Sequence, residues 1–216
     1  MPSLAKNPSG SGVIGPLSIV CFGASAGGLQ AYRTILSLLP ADTGMAFIIV
    51  HHQPSEGKSL LTEILPFVTT MPVVLITDCE TVKPDHVYIV PAGQQVTMDG
   101  DLFRIAPLFK TSGWPKNISV FLQSLARDRE KRAIAVILSG FDSDGAAALE
   151  SIKEAGGVVI AQDFKTARQP DMPESAVKTG CVDFVLSPDR IATELMRIAH
   201  EWRTIPISGP GTRYTS

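Results

Sequence analysis

The chain has 216 residues, 44% of them hydrophobic, and a formal charge of -2. That suffices for one substantial domain with a buried core, and it excludes the basic surface that tracks nucleic-acid phosphates. No apolar run is long enough to span a bilayer and the first residues lack a signal-peptide core, so a cytoplasmic location without membrane insertion is expected.

Residues 1–16, with their Pro-Ser and Gly-Ser-Gly elements, read as a flexible leader. A strand is expected near Leu17 to Phe22. It runs into the turn Gly23-Ala24-Ser25-Ala26-Gly27-Gly28 and then a helix to about Leu39. A second strand, Met45 to Val50, ends at His51-His52, and a helix is expected over Lys58 to Val68. After a strand at Val73 to Ile76, the segments His86 to Pro91, Gln95 to Met98 and Leu102 to Ala106 read as an antiparallel group, with a tight turn at Asp99-Gly100-Asp101. Helix Ile118 to Arg129, strand Ala133 to Leu138, helix Gly145 to Ala155, strand Val158 to Ala161, helix Pro173 to Thr179, strand Phe184 to Leu186 and helix Pro188 to Trp202 follow. Residues 204–216 read as a flexible tail. The alternation predicts one α/β domain over residues 17–203: a doubly wound, mainly parallel sheet with helices on both faces and a small antiparallel strand group. Cys21, Cys79 and Cys181 are odd in number and widely spaced, and are expected to be buried reduced thiols.

In such a sheet, sites form beyond the carboxyl ends of the strands. Three of these ends carry chemistry. Ser25 follows the first strand on a sharp glycine-rich turn, His51-His52 the second, and Ser139-Gly140-Phe141-Asp142-Ser143-Asp144-Gly145 a later one. A serine hydroxyl needs a base to become a nucleophile, and an imidazole in that role needs a carboxylate to orient it and to stabilise the cation. Residue type alone leaves the histidine as either His51 or His52 and the carboxylate as Asp142 or Asp144.

Ordinary readings coexist. The glycine turn could bind phosphate, although it fits neither G-x-G-x-x-G nor the P-loop. Ser25 could cap the following helix, and Asp144 the helix near Gly145, while Asp142 could close a turn. A metal site with His86 and His200 lacks ligand spacing, and no metal or cofactor is expected. The Ser-His-Asp chain order differs from that of the α/β-hydrolases.

Gly23 to Gly28, Leu39-Pro40-Ala41-Asp42, His52 to Pro54, Val87 to Pro91, Ser139-Gly140 through Gly145, Ala155-Gly156-Gly157 with Ala161-Gln162-Asp163, and Met172-Pro173 occur together in order. From about Leu17 to Ala199 the chain resembles the catalytic domain of the chemotaxis protein-glutamate methylesterase CheB. It most resembles the version fused in some proteins to a CheR-type methyltransferase. The resemblance implies hydrolysis of glutamyl methyl esters on the cytoplasmic helices of chemoreceptors with release of methanol, and glutamine deamidation in some members. It assigns Ser25 as nucleophile, His52 as base and Asp144 as its carboxylate. Ala26, Gly27, Phe141 and Met172 fall in the oxyanion and substrate loops. Methylated receptor helices are the implied partners, with a CheR-type methyltransferase as a further one.

Four departures accompany the resemblance. It begins within about twenty residues of Met1, so the receiver domain usual in the family is expected to be absent. Phe141-Asp142 stands where relatives usually have a glycine, and an extra carboxylate there can compete for His52. Gly113 to Ser119 replaces a stretch with an aspartate near Ser119, and Asp171 and Glu174 flank Met172-Pro173 where relatives often carry glycine and arginine. These departures leave two alternatives, an esterase for another substrate and a non-catalytic interaction module.

Overall fold

The computed structural model describes residues 16–52, 60–108 and 116–204. β1 (Ser18–Ala24) and β2 (Met45–His51) are near-continuous apolar runs because they are covered on both sides. Strand side chains alternate between faces. Ile19 and Cys21 accordingly enter one core while Val20 and Phe22 enter the other, and each fully buried side chain of this size contributes about 1.5–3 kcal/mol. Phe22 stacks on Phe47 of β2 at 6.1 Å between ring centres.

The remaining elements are α1 (Gly28–Leu38), α2 (Leu61–Ile64), β3 (Val73–Leu75), β4 (Val87–Ile89), β5 (Gln94–Asp99), β6 (Leu102–Pro107), α3 (Asn117–Arg129), β7 (Ala133–Ile137), α4 (Leu149–Glu154), β8 (Val158–Gln162), α5 (Asp171–Lys178), β9 (Phe184–Leu186) and α6 (Pro188–Thr204). Seven strands form one sheet in the order β3-β4-β2-β1-β7-β8-β9, with every neighbouring pair parallel. A separate antiparallel hairpin joins β5 to β6. One face packs under α1 and α6 through Tyr32, Ile35, Leu36, Ile191 and Leu195. The other packs under α3, α4, α5 and the hairpin. β1 lies between β2 and β7, with Ala24 opposite His51 and Gly23 opposite Ile137. The three chemistry-bearing strand ends are thereby neighbours.

The fold is the expected doubly wound one, with local corrections. His86 to Pro91 does not join the antiparallel group: β4 is an inner strand of the parallel sheet between β2 and β3. Val87, Tyr88 and Ile89 are wholly buried, the continuous burial of a strand covered on both faces rather than the alternation of a hairpin. Within the helix expected over 58–68, α2 covers only Leu61–Ile64. Pro66 enters the 3-10 turn Leu65–Phe67 and cannot donate to a regular helical ladder. The helix expected from Gly145 likewise starts as a 3-10 turn, Ala146–Ala148, before α4. Cys21 is buried, but Cys79 is exposed and Cys181 half-buried, because both lie in surface connections; all three are free thiols. The expected leader falls almost wholly, and the tail beyond Thr204 wholly, outside the described residues.

Candidate active site

Ser25 is the first residue after β1, and hydrogen bonds from three directions fix its backbone. Its amide donates to the Ser139 carbonyl at 3.0 Å, its carbonyl accepts from Gly28 at 3.1 Å, and the His52 amide donates to the preceding carbonyl of Ala24 at 2.9 Å. Ser25 does not cap α1. The N-cap is Gly27, at φ 86° and without a side-chain bond. A Cβ on Gly27 would meet Ser139 Oγ at 2.5 Å and Arg168 Cβ at 2.8 Å, so both conformation and space demand glycine. Among the described residues Ser25 Oγ has no hydrogen-bond partner, and the side chain is half-buried.

The loop after β7 is held against that turn. Ser139, 1% exposed, accepts the Gln169 amide at 3.0 Å and donates its hydroxyl to the Ala26 carbonyl at 2.9 Å. Its own amide donates to the Gln162 side chain at 2.9 Å. Gly140 permits a close approach, since a Cβ there would lie 2.9 Å from both Ser25 N and Ser25 Cβ and would collide with Met172 Sδ. Met172 is buried and its amide donates to the Gly140 carbonyl at 3.1 Å. It supports the loop from beneath, whereas Phe141, 49% exposed, stands at the rim. The amides of Ala26, Gly27 and Phe141 make no hydrogen bond to a described residue. Such unpaired N–H groups are what an oxyanion requires.

His52 Nε2 lies 2.8 Å from Asp144 Oδ2, with side chains 7% and 3% exposed. Asp144 is no cap for the turn beginning at Ala146. Its carboxylate reaches across to the start of α3, accepting from the amides of Ile118 at 2.8 Å and Ser119 at 3.0 Å and from the Ser119 hydroxyl at 2.6 Å. It also accepts the Gly145 amide at 2.7 Å. The free N–H groups and positive end of α3 thus fix a buried carboxylate, and that carboxylate fixes an imidazole.

Burial opposes charge on Asp144, but hydrogen bonds from His52, Ser119 and the backbone outweigh it and hold the carboxyl below its ordinary range. Burial likewise pushes His52 down, yet the hydrogen bond and charge of Asp144, with the charge of Asp142, raise it above an ordinary histidine. His51 is different: burial, then the adjacent His52, lower it to about 4. Its Nδ1 is 3.3 Å from the Tyr32 hydroxyl, whose own proton burial makes hard to remove. Between the two histidines and the two aspartates, only the His52–Asp144 pair is hydrogen-bonded.

Ser25, His52 and Asp144 therefore lie at one sheet edge, the last two paired and the turn of Ser25 adjacent, with Ala26, Gly27 and Phe141 in the same loops. Ser119 and Ser139 act as braces that the sequence marks only by a serine at the second position of an expected helix and another just past an expected strand. Among the described residues, no cluster of three or more His, Cys, Asp or Glu is placed to hold a metal ion.

Residues 20–195 match the CheB methylesterase family. A chain from Leptospira interrogans, provisionally named protein-glutamate methylesterase/protein-glutamine glutaminase, is 32% identical over 180 residues, covering 83% of this chain and 93% of its own length. Enzymes of that name from Geobacter metallireducens and Moorella thermoacetica are 31% and 30% identical over 92% and 84% of this chain, which spans 58% and 44% of their lengths. The crystal structure of the Thermotoga maritima CheB methylesterase catalytic domain superposes with a TM-score of 0.78 at 28% identity, over 84% of this chain and 98% of that one.

Proposed function

The chain belongs to the CheB methylesterase family, and on that premise we propose that it is a serine hydrolase that removes methyl esters from glutamyl side chains on the cytoplasmic helices of chemoreceptors. The observation that carries the reading is the buried 2.8 Å pair of His52 and Asp144 beside the Ser25 turn. Ser25 Oγ attacks the ester carbonyl while His52 takes its proton at Nδ1, the ring nitrogen that Asp144 leaves unbonded. The tetrahedral oxyanion accepts from the amides of Ala26 and Phe141, each donor contributing about 3 kcal/mol. His52 returns the proton to the departing methoxide, and methanol leaves an acylated Ser25. Water, deprotonated by the same ring, then releases glutamate and free serine. Asp144 stays ionised throughout and stabilises the imidazolium.

The deciding experiment is methanol release from a methylated chemoreceptor cytoplasmic fragment, with fluorophosphonate labelling of Ser25 in parallel. Release and labelling by the parent chain, both lost in Ser25→Ala, support the reading. Labelling without release moves the substrate to another ester. A folded chain that neither labels nor releases methanol is an interaction module on the receptor or on a CheR-type methyltransferase.

A further inference from the structure

The loop that delivers Asp144 carries a second carboxylate to the same imidazole. Asp142 Oδ2 lies 3.3 Å from His52 Nδ1, with side chains 21% and 7% exposed. Each ring nitrogen of His52 thus faces its own aspartate. The two contacts differ in kind: Nε2 makes a well-formed hydrogen bond to Asp144, whereas the buried Nδ1 faces Asp142 in a longer ion-pair contact without hydrogen-bond geometry. Asp142 adopts φ 73°, a conformation that aspartate and asparagine tolerate better than other side chains. Its Oδ1 accepts the Asp144 amide at 2.5 Å, so one oxygen closes the turn and the other is aimed at the ring.

We propose that Asp142 is a positioning residue for the base: its carboxylate engages the ring nitrogen that Ser25 needs, in a resting contact that loss of the ring proton releases. The proposal rests on the assignment of Ser25 and His52 as nucleophile and base. A protonated Nδ1 is drawn to Asp142, whereas a deprotonated Nδ1 turns a lone pair toward an anion and is repelled. The neutral ring is therefore free to take the serine proton, and the charged ring is held away from it. Raised proton affinity at His52, to which Asp142 contributes, agrees with this arrangement. Asp142 then confines general-base activity to the alkaline side of where Asp144 alone would set it.

Few other groups compete for this control among the described residues. From β1, Cys21 faces Asp144 as a thiol that burial keeps protonated. From β2, His51 stays neutral until about pH 4, and from α1, Tyr32 keeps its proton. Lys116, at the start of α3, and Arg168, beside Gly27, are exposed and form no ion pair with either aspartate.

The experiment compares the full chain with Asp142→Asn, which keeps the turn-closing oxygen and the tolerance of positive φ while removing the charge; Asp142→Gly serves if the asparagine variant does not fold. The His52 ring is titrated by NMR, assigned with His52→Gln, and kcat/KM for ester hydrolysis is followed from pH 5.5 to 9. The expected result is a His52 titration moved to lower pH, with activity at pH 6 raised roughly tenfold and activity at pH 9 within about twofold of the parent. Identical titrations in parent and variant overturn the proposal while leaving the esterase reading intact. A moved titration with no hydrolysis or fluorophosphonate labelling in either chain overturns the esterase reading, and the link from Asp142 to Ser25 falls with it.

Discussion

Ser119 donates twice to Asp144, from its amide at 3.0 Å and its hydroxyl at 2.6 Å, and its hydroxyl oxygen also accepts from Gly145 at 2.9 Å. One side chain on α3 therefore ties the loop after β7 to the helix and orients the carboxylate that holds His52. Ser119→Ala removes a buried hydrogen bond to a charged acceptor and leaves the Gly145 amide without that acceptor, at a cost of about 1.5–3 kcal/mol. A urea unfolding midpoint lowered accordingly, with kcat reduced more than KM is raised, is the expected outcome.

Asp144→Asn keeps one oxygen for the helix amides but removes the charge beside His52. The expected fall in kcat is roughly 10⁴-fold, with a residual rate from the oxyanion amides. Single-turnover measurement of acylation checks it, and circular dichroism should show α3 largely intact. A loss below tenfold would remove Asp144 from the role given to it.

The fold responds to acid through His51. Its proton affinity is lowered from 6.5 to about 4, so between those values only the unfolded chain takes up the proton, and acidification favours unfolding. The effect is about 2 kcal/mol at pH 5, from the difference in proton uptake. His51→Gln should flatten the decline of denaturant stability between pH 7 and pH 5. His52 works in the opposite sense: its raised affinity stabilises the fold below pH 6.5, and that contribution is lost as pH rises through its folded value.

Gly140→Ala places a methyl group against Met172 Sδ and the Ser25 backbone. Overpacking of this kind costs about 1–3 kcal/mol. Adding Met172→Ala relieves the clash at the thioether but empties a buried site, at a cost of about 2–5 kcal/mol, and leaves the new methyl against the Ser25 turn, so neither thermal stability nor activity is expected to return. Melting temperature and fluorophosphonate labelling rate, measured on the single and double variants, check both.

Strand ends were the legible part of the chain. An apolar run that stops at a glycine turn with a serine, and another that stops at two histidines, identify the edge of a parallel sheet without coordinates, and the register of Ala24 against His51 brings them together. The partners of Asp144 were not legible in the same way. Its bonds to Ile118 and Ser119 span about 25 residues of sequence, and no local pattern signals a carboxylate that caps a helix from another loop. β4 departs from its expected place for a related reason: three apolar residues close to a hairpin look like part of it until their burial on both faces is known.

Because Asp144 completes the first turn of α3 as well as holding His52, selection for a folded chain would preserve it even in a lineage that had abandoned catalysis. Ser25 is under no such double obligation, since its hydroxyl bonds to nothing among the described residues. Among descendants of this fold, an inactive branch would register first as drift at position 25, long before the aspartate was lost.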